Sequence, residues 1–264
     1  MKISTQSTLR SRWQHPEDPP GPVRYVQEQF GPRRQEARVL GQPARGVGRP
    51  RLLAVHGAGG DYTQLNPVLY GLQRRGVSSL AMNLYGHSDA GGGTQATASL
   101  ELNASEALRF GERLKPGLLA LLAVDVGAMA ALRAAQAHVR SLHRLVLIDP
   151  FIYPDPALTR SLSVVLNCPS LRWQESSLLE SLRSFLGHVM VITGEPMPMP
   201  LPRHRTERLP PLTPTEAIVR LVPPRRVSRV VITGCPGQVM PWLHSHPGMA
   251  DRLSDSIAGF LGPI

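Results

Sequence analysis

The sequence predicts an α/β protein, with a mostly parallel central sheet, helices on both faces and a short helical cap. Three observations carry that prediction. Continuous apolar runs such as Gly117–Val124 and Arg144–Ile148 read as strands buried on both faces, as in parallel sheets. Stretches with apolar residues every three or four positions alternate with those runs, which is the order of βαβ units. Glycine-rich turns, above all HGAGG at 56–60, follow strand ends, where open α/β sheets bind their ligands.

Residues 1–22 are polar, carry Pro16, Pro19, Pro20 and Pro22, and have little to bury. They read as a flexible arm with no secretory apolar core. Residues 23–264 read as one domain. Val23–Phe30 and Glu36–Leu40 read as strands joined at Gly31-Pro32, and Arg51–Val55 as the strand that ends at HGAGG. Thr63–Arg75 reads as a helix, with Leu65, Val68, Leu69 and Leu72 on one face and Gly76 as its stop. Val77–Leu84 is the next strand, Tyr85–Gly93 a glycine-rich loop and Leu100–Leu114 a helix. After Gly117–Val124 comes a helix over Gly127–His138 whose small face is Ala128, Ala130, Ala131 and Ala134. Strands Arg144–Ile148, Val189–Thr193 and Val227–Thr233 follow. Gly248–Leu261 closes the chain, with Met249, Leu253, Ile257 and Phe260 at helical spacing. Two inserts interrupt this alternation. Residues 150–187 are long enough for a small helical cap. Residues 196–214 carry Pro196, Pro198, Pro200, Pro202, Pro210, Pro211 and Pro214 and read as an extended basic loop.

The composition excludes several function classes. A hydrophobic fraction of 42% supports a buried core, and aromatics at 5% mean that Leu, Val and Ala must fill it. The longest apolar run, Gly117–Leu132, is broken by Asp125, so no ordinary transmembrane helix and no membrane partner is expected. Two cysteines, Cys168 and Cys235, are too few for a disulfide framework and point to a reducing, cytoplasmic setting. The net charge of +10 comes from 29 Lys and Arg residues, of which only Lys2 and Lys115 are lysine. The arginines are scattered, with pairs at Arg33-Arg34, Arg74-Arg75 and Arg225-Arg226 and no interleaved aromatics, so no specific nucleic-acid partner is expected. No metal-ligand spacing and no cofactor are expected, and the oligomeric state stays open.

The chemistry concentrates at strand ends. The small residues of HGAGG let the backbone fold tightly and turn amide N–H groups toward a developing negative charge. At Ala123-Val124-Asp125-Val126-Gly127 a buried strand must turn sharply into a helix. NLYGHSD at 83–89, LVLIDP at 145–150, VMVITGE at 189–195 and VVITG at 230–234 complete the series. In this order and spacing, the chain from Val23 to Leu261 resembles the α/β-hydrolase superfamily.

That resemblance implies roles for named residues. The family's nucleophile elbow is G-x-S-x-G. Here aspartate stands in place of serine, which is similar to the aspartate-nucleophile branch, the epoxide hydrolases and haloalkane dehalogenases. Asp125 would then attack carbon directly, since a carboxylate needs no deprotonation at neutral pH. The backbone N–H groups of Ala58 and Val126 would form the oxyanion hole. His56, Gly57, Tyr153 and Trp173 would line the substrate pocket, with Tyr153 able to protonate an epoxide oxygen. The family's histidine position holds Gln238, which cannot take a proton. His244 and His246 lie six and eight residues further on, and His244 is the candidate to replace it. The usual acid position holds Met197, with Glu195 two residues early, and Asp149 matches the family's alternative position. A tryptophan follows the nucleophile in dehalogenases, and Val126 in its place counts against that activity. Leu162, Val164, Val165, Leu166 and Leu171 in the cap suggest a small apolar partner molecule.

Two readings follow. The first is an enzyme with an Asp-centred site, opening an epoxide, cleaving an ester or carrying out non-hydrolytic lyase or cyclase chemistry. The second is a non-catalytic binding or scaffold protein that kept the fold and lost the triad.

Overall fold

A computed structural model describes residues 3–4, 18–42, 49–87, 93–114, 118–168, 173–195 and 213–262. Most of the arm, Ser88 and Asp89, Leu171, Met197 and the proline-rich stretch through Leu212 lie outside the described residues. The strands are β1 (Ile3–Ser4), β2 (Val23–Phe30), β3 (Arg33–Leu40), β4 (Leu52–Val55), β5 (Ser79–Met82), β6 (Ala120–Val124), β7 (Arg144–Ile148), β8 (His188–Glu195) and β9 (Val227–Pro236). They form one sheet in the order β1-β2-β3-β5-β4-β6-β7-β8-β9. The β1–β2, β2–β3 and β3–β5 pairs are antiparallel. All later pairs are parallel. Hence β4 to β9 end on the same edge, and every loop with chemical content opens there.

Helices cover both faces. On one, α2 (Leu100–Leu114) and α3 (Gly127–Ala137) bury Phe110, Ala131 and Leu132 against Leu53, Val55, Leu121 and Leu145. On the other, α1 (Asn66–Arg74) and α8 (Pro247–Leu261) bury Leu69, Leu72, Leu253 and Ile257 with Leu52, Leu122 and Ile148. Alternate residues of one strand thus feed opposite clusters, which is why these strands read as unbroken apolar runs. Between β7 and β8 the chain makes short helical turns, including α4 (Leu162–Val165) and α5 (Ser177–Glu180). That segment is tied to the start of α2 by Leu162 N to Ala98 O (2.9 Å) and Glu101 N to Leu158 O (2.9 Å).

Several elements differ from their sequence-based bounds. The helix expected over Thr63–Arg75 starts as a 3-10 turn, Tyr62–Leu65, and becomes α-helical only at Asn66. Asp61 caps the turn by accepting from Thr63 N at 2.8 Å, and Pro67, with no N–H to lose, sits in the first α-turn. The extended loop was expected over 196–214, of which only Thr213 and Pro214 are described, and Pro214 is helical. Pro214 opens α6 (Pro214–Leu221), and Thr213 and Glu216 form a reciprocal capping box. A further short helix, α7 (Val239–His244), follows β9 where only a loop was expected. Among the described residues no helix is long and apolar enough to cross a membrane.

Candidate active site

The site grows out of one tight turn. At the end of β6 the chain reverses at Asp125, with φ +52°, and enters α3 two residues later. A non-glycine residue in this left-handed region costs about 1–2 kcal/mol, so surrounding structure must hold it. Asp125 N donates to Ile148 O (3.0 Å), while Asp125 O accepts from Ala128 N (3.1 Å) and Phe151 N (3.1 Å). Gly127 makes the turn possible. A Cβ there would lie 2.4 Å from His56 O and 3.1 Å from Val55 O, both backbone atoms that cannot rotate away.

The carboxylate of Asp125 turns back to the loop after β4. Ala58 N donates to Asp125 Oδ2 at 3.0 Å, and the Val126 amide also bonds the carboxylate. The two amides expected to bind a substrate oxyanion therefore converge on the side chain of Asp125 itself. Gly57 lets the loop come this close, since a Cβ there would meet Asp125 Cβ at 2.9 Å. Burial pushes the Asp125 carboxyl above its ordinary range, and the Ala58 and Val126 amides pull it partly back.

Asp149 repeats this geometry one strand over. It follows β7, has φ +46°, and its N donates to Ile192 O at 2.8 Å. Val239 N, at the start of α7, donates to Asp149 Oδ2 at 2.5 Å. Burial raises the Asp149 carboxyl to about 6. The Val239 and Gly194 amides oppose that rise, and the Asp125 charge adds to it. Tyr153 is buried beside Asp125, with its ring 4.9 Å from that of Phe151 and its N directed at Met129 Sδ (3.4 Å). Burial and then the Asp125 charge push its phenol up to about 12.

A family model described as the alpha/beta hydrolase family matches residues 52–259. The chain belongs to the α/β-hydrolase family. No curated protein matches it. Among solved structures, this chain is similar to the thioesterase domain from the curacin biosynthetic pathway. That similarity has a TM-score of 0.61 and 17% identity, covering 90% of this chain and 99% of the other. A thermophilic esterase from Thermogutta terrifontis matches at TM-score 0.59 and 15% identity, with 90% and 99% covered. E-2-(acetamidomethylene)succinate hydrolase matches at 0.60 and 14%, again with 90% and 99% covered. At these identities the likeness is one of fold.

Other expected site residues of the chain stand elsewhere. His56 is fully buried and not a pocket-lining side chain. Its Nε2 accepts from Leu84 N at 2.9 Å, which leaves Nδ1 to donate to Gly57 O at 2.8 Å. Burial lowers its pKa to about 4, so it stays neutral and ties the β5 exit to the HGAGG loop. Gln238 is exposed and makes no side-chain cap bond to α7. His244 lies at the far end of α7 with Nε2 3.2 Å from Gln64 O. His246 stacks on Trp242 at 3.8 Å between ring centroids. Trp173 is half-buried against the α2–α3 cluster. Among the described residues no cluster of three or more His, Cys, Asp or Glu is placed to hold a metal ion.

Gln64 is the contact that sequence reasoning missed. Its Oε1 accepts from Gly57 N at 2.7 Å, fixing the peptide that precedes the Ala58 amide. A polar residue in an amphipathic stretch gives no sign of this. The only hint is its position eight residues after His56, within reach of a tight loop.

Proposed function

We propose that this hydrolase uses Asp125 as a nucleophile toward a small apolar electrophile, with epoxides the best-fitting class. One observation carries the reading: Asp125 occupies the elbow with one carboxylate oxygen, Oδ2, held by the Ala58 amide at 3.0 Å. That contact orients Oδ1 as the attacking atom. Oδ1 forms a bond to a ring carbon, the ring C–O bond breaks, and the alkoxide takes a proton from the Tyr153 phenol. The carbonyl oxygen of the resulting ester then stays in contact with the Ala58 and Val126 amides, which stabilise negative charge when water attacks it. The apolar surroundings of Tyr153, including Ile152, Leu162 and Val165, favour a substrate without charge.

The test is intact-protein mass after incubation with a panel of epoxides, alkyl halides and activated esters, comparing wild type with Asp125→Asn. The expected result is an epoxide adduct on wild type and none on the variant. An adduct on both proteins, or neither adduct nor turnover on wild type with any class, refutes the nucleophile role. The alternative reading, a binding protein without turnover, is favoured by the exposed Gln238 at the family's histidine position. It predicts saturable binding of an apolar ligand that Asp125→Asn leaves unchanged.

A further inference from the structure

The turns after β6 and β7 are locked together. Register pairs Val124 with Ile148, so Asp125 and Asp149 are the next residues on neighbouring parallel strands. Both take left-handed φ. The backbone bonds Asp125 N to Ile148 O and Phe151 N to Asp125 O bracket Asp149 on both sides. Its carboxylate is anchored from the far side by Val239 N. Gln238, at the family's histidine position, is exposed.

We propose that Asp149 is the base that releases the ester formed on Asp125, acting directly on water with no histidine between them. The inference rests on Asp125 being the nucleophile. Water attacks the carbonyl carbon of the Asp125 ester and gives its proton to the Asp149 carboxylate. The electron pair moves to the carbonyl oxygen at the Ala58 and Val126 amides. Collapse of that intermediate breaks the bond to the alcohol, which takes the proton from Asp149 as it leaves. One water is consumed: one of its hydrogens leaves with the alcohol by way of Asp149, the other, left on the Asp125 carboxyl, returns to the Tyr153 phenolate, and Asp125 and Asp149 are both restored as carboxylates. At about 6, Asp149 is close to imidazole in basicity and ionised at neutral pH. The groups facing it are Asp125 from the end of β6 and the Cys235 thiol from the end of β9, which also senses Glu195 at the end of β8. None of them is a cation.

The experiment follows formation and loss of the adduct by intact mass, using wild type and Asp149→Asn with a styrene-oxide-type probe. Asparagine keeps the shape and the acceptor for Val239 N. Formation is expected to change by no more than about threefold. Release is expected to slow by about 100-fold or more, the usual contribution of a general base. In wild type the release rate should rise with pH as Asp149 ionises, below about 6 because the esterified Asp125 no longer adds its charge to the shift, and in Asp149→Asn that rise should disappear. Added formate should restore part of the lost release, which a purely structural role would not allow. Equal release rates in the two proteins, or the same pH inflection kept by Asp149→Asn, overturns the assignment while leaving Asp125 as nucleophile. Absence of any adduct on Asp149→Asn, together with no turnover by wild type, overturns the nucleophile itself, and the base with it. Should Asp149→Asn fail to fold, the wild-type profile decides alone: a release rate flat from pH 4 to 7 sinks the proposal.

Discussion

Replacing Asp149 by Asn should stabilise this protein, and by an amount that depends on pH. Folding raises this carboxyl from its usual 3.8 to about 6, with burial as the main cause. The folded chain therefore binds the Asp149 proton more tightly than the unfolded chain. Stability from this group is complete below pH 3.8 and is lost as pH rises through about 6. At 1.4 kcal/mol per pH unit the full penalty of ionisation is about 3 kcal/mol, and partial exposure of the side chain reduces it to about 2 kcal/mol. An asparagine at this position never ionises and escapes that penalty. The melting temperature of Asp149→Asn should match wild type near pH 4 and exceed it by roughly 4–8 °C at pH 7.5, for a domain of this size. Paired thermal melts from pH 4 to pH 8, followed by circular dichroism, test this. A gap that stays constant with pH, or closes as pH rises, refutes the idea that a buried, charge-coupled carboxylate sits here. Because Asp125 is one cause of the shift, the gap should also shrink in an Asp125→Asn background.

Three further outcomes follow from the same contacts. Gly127→Ala sets a Cβ 2.4 Å from His56 O, so α3 must move off β4. A loss of about 3 kcal/mol is expected in denaturant titrations, together with loss of adduct formation. His56→Ala leaves the Leu84 amide and the Gly57 carbonyl buried without partners, and should cost about 2–4 kcal/mol. In wild type, neutral His56 supports folding above pH 6.5, and that support is lost as pH falls toward about 4. The variant's stability should therefore fall less steeply over that range. Gln64→Leu frees the Gly57 amide. It should slow adduct formation at Asp125 by about tenfold or more, whereas Gln64→Glu, which keeps the acceptor, should slow it less. Equal effects from the two would mean that Gln64 only fills space.

The regular core was legible in the sequence because its signals are local. The helix over Leu100–Leu114 and the strand over Arg144–Ile148 appear at the bounds read from periodicity alone. Pro214 misled because a proline-rich run hides the one proline that opens a helix, and only the Thr213–Glu216 capping pair distinguishes it. At the site, Asp125, Ala58 and Val126 could be placed from the order of motifs, since each follows a strand end that topology brings together. His56 could not. Its role depends on Leu84 N arriving from another strand, a contact with a separation of 28 residues and no local signature. Gln64 and His244 were opaque for the same reason. One fixes the HGAGG loop and the other the Gln64 backbone, both through hydrogen bonds that exist only after the turn at Asp61 and α7 have formed.

The pair of carboxylates also weighs on the choice between catalyst and scaffold. Asp125 and Asp149 both sit in left-handed backbone, where glycine or asparagine costs less. Burial penalises both ionised forms, and the charge of Asp125 adds to the penalty on Asp149. Neither side chain returns this cost through packing, because each is turned toward backbone amides at the sheet edge. Substitution by asparagine at either position would relieve the electrostatic cost while keeping an acceptor for the Ala58 or Val239 amide. A chain selected only to hold its shape gains from that exchange at every pH above the carboxyl range. Strain and charge held together on adjacent strand ends have a use when one carboxylate must attack carbon and the other must take a proton from water. On the proposed mechanism, the exposed Gln238 marks the removal of an intermediary whose work Asp149 does on water.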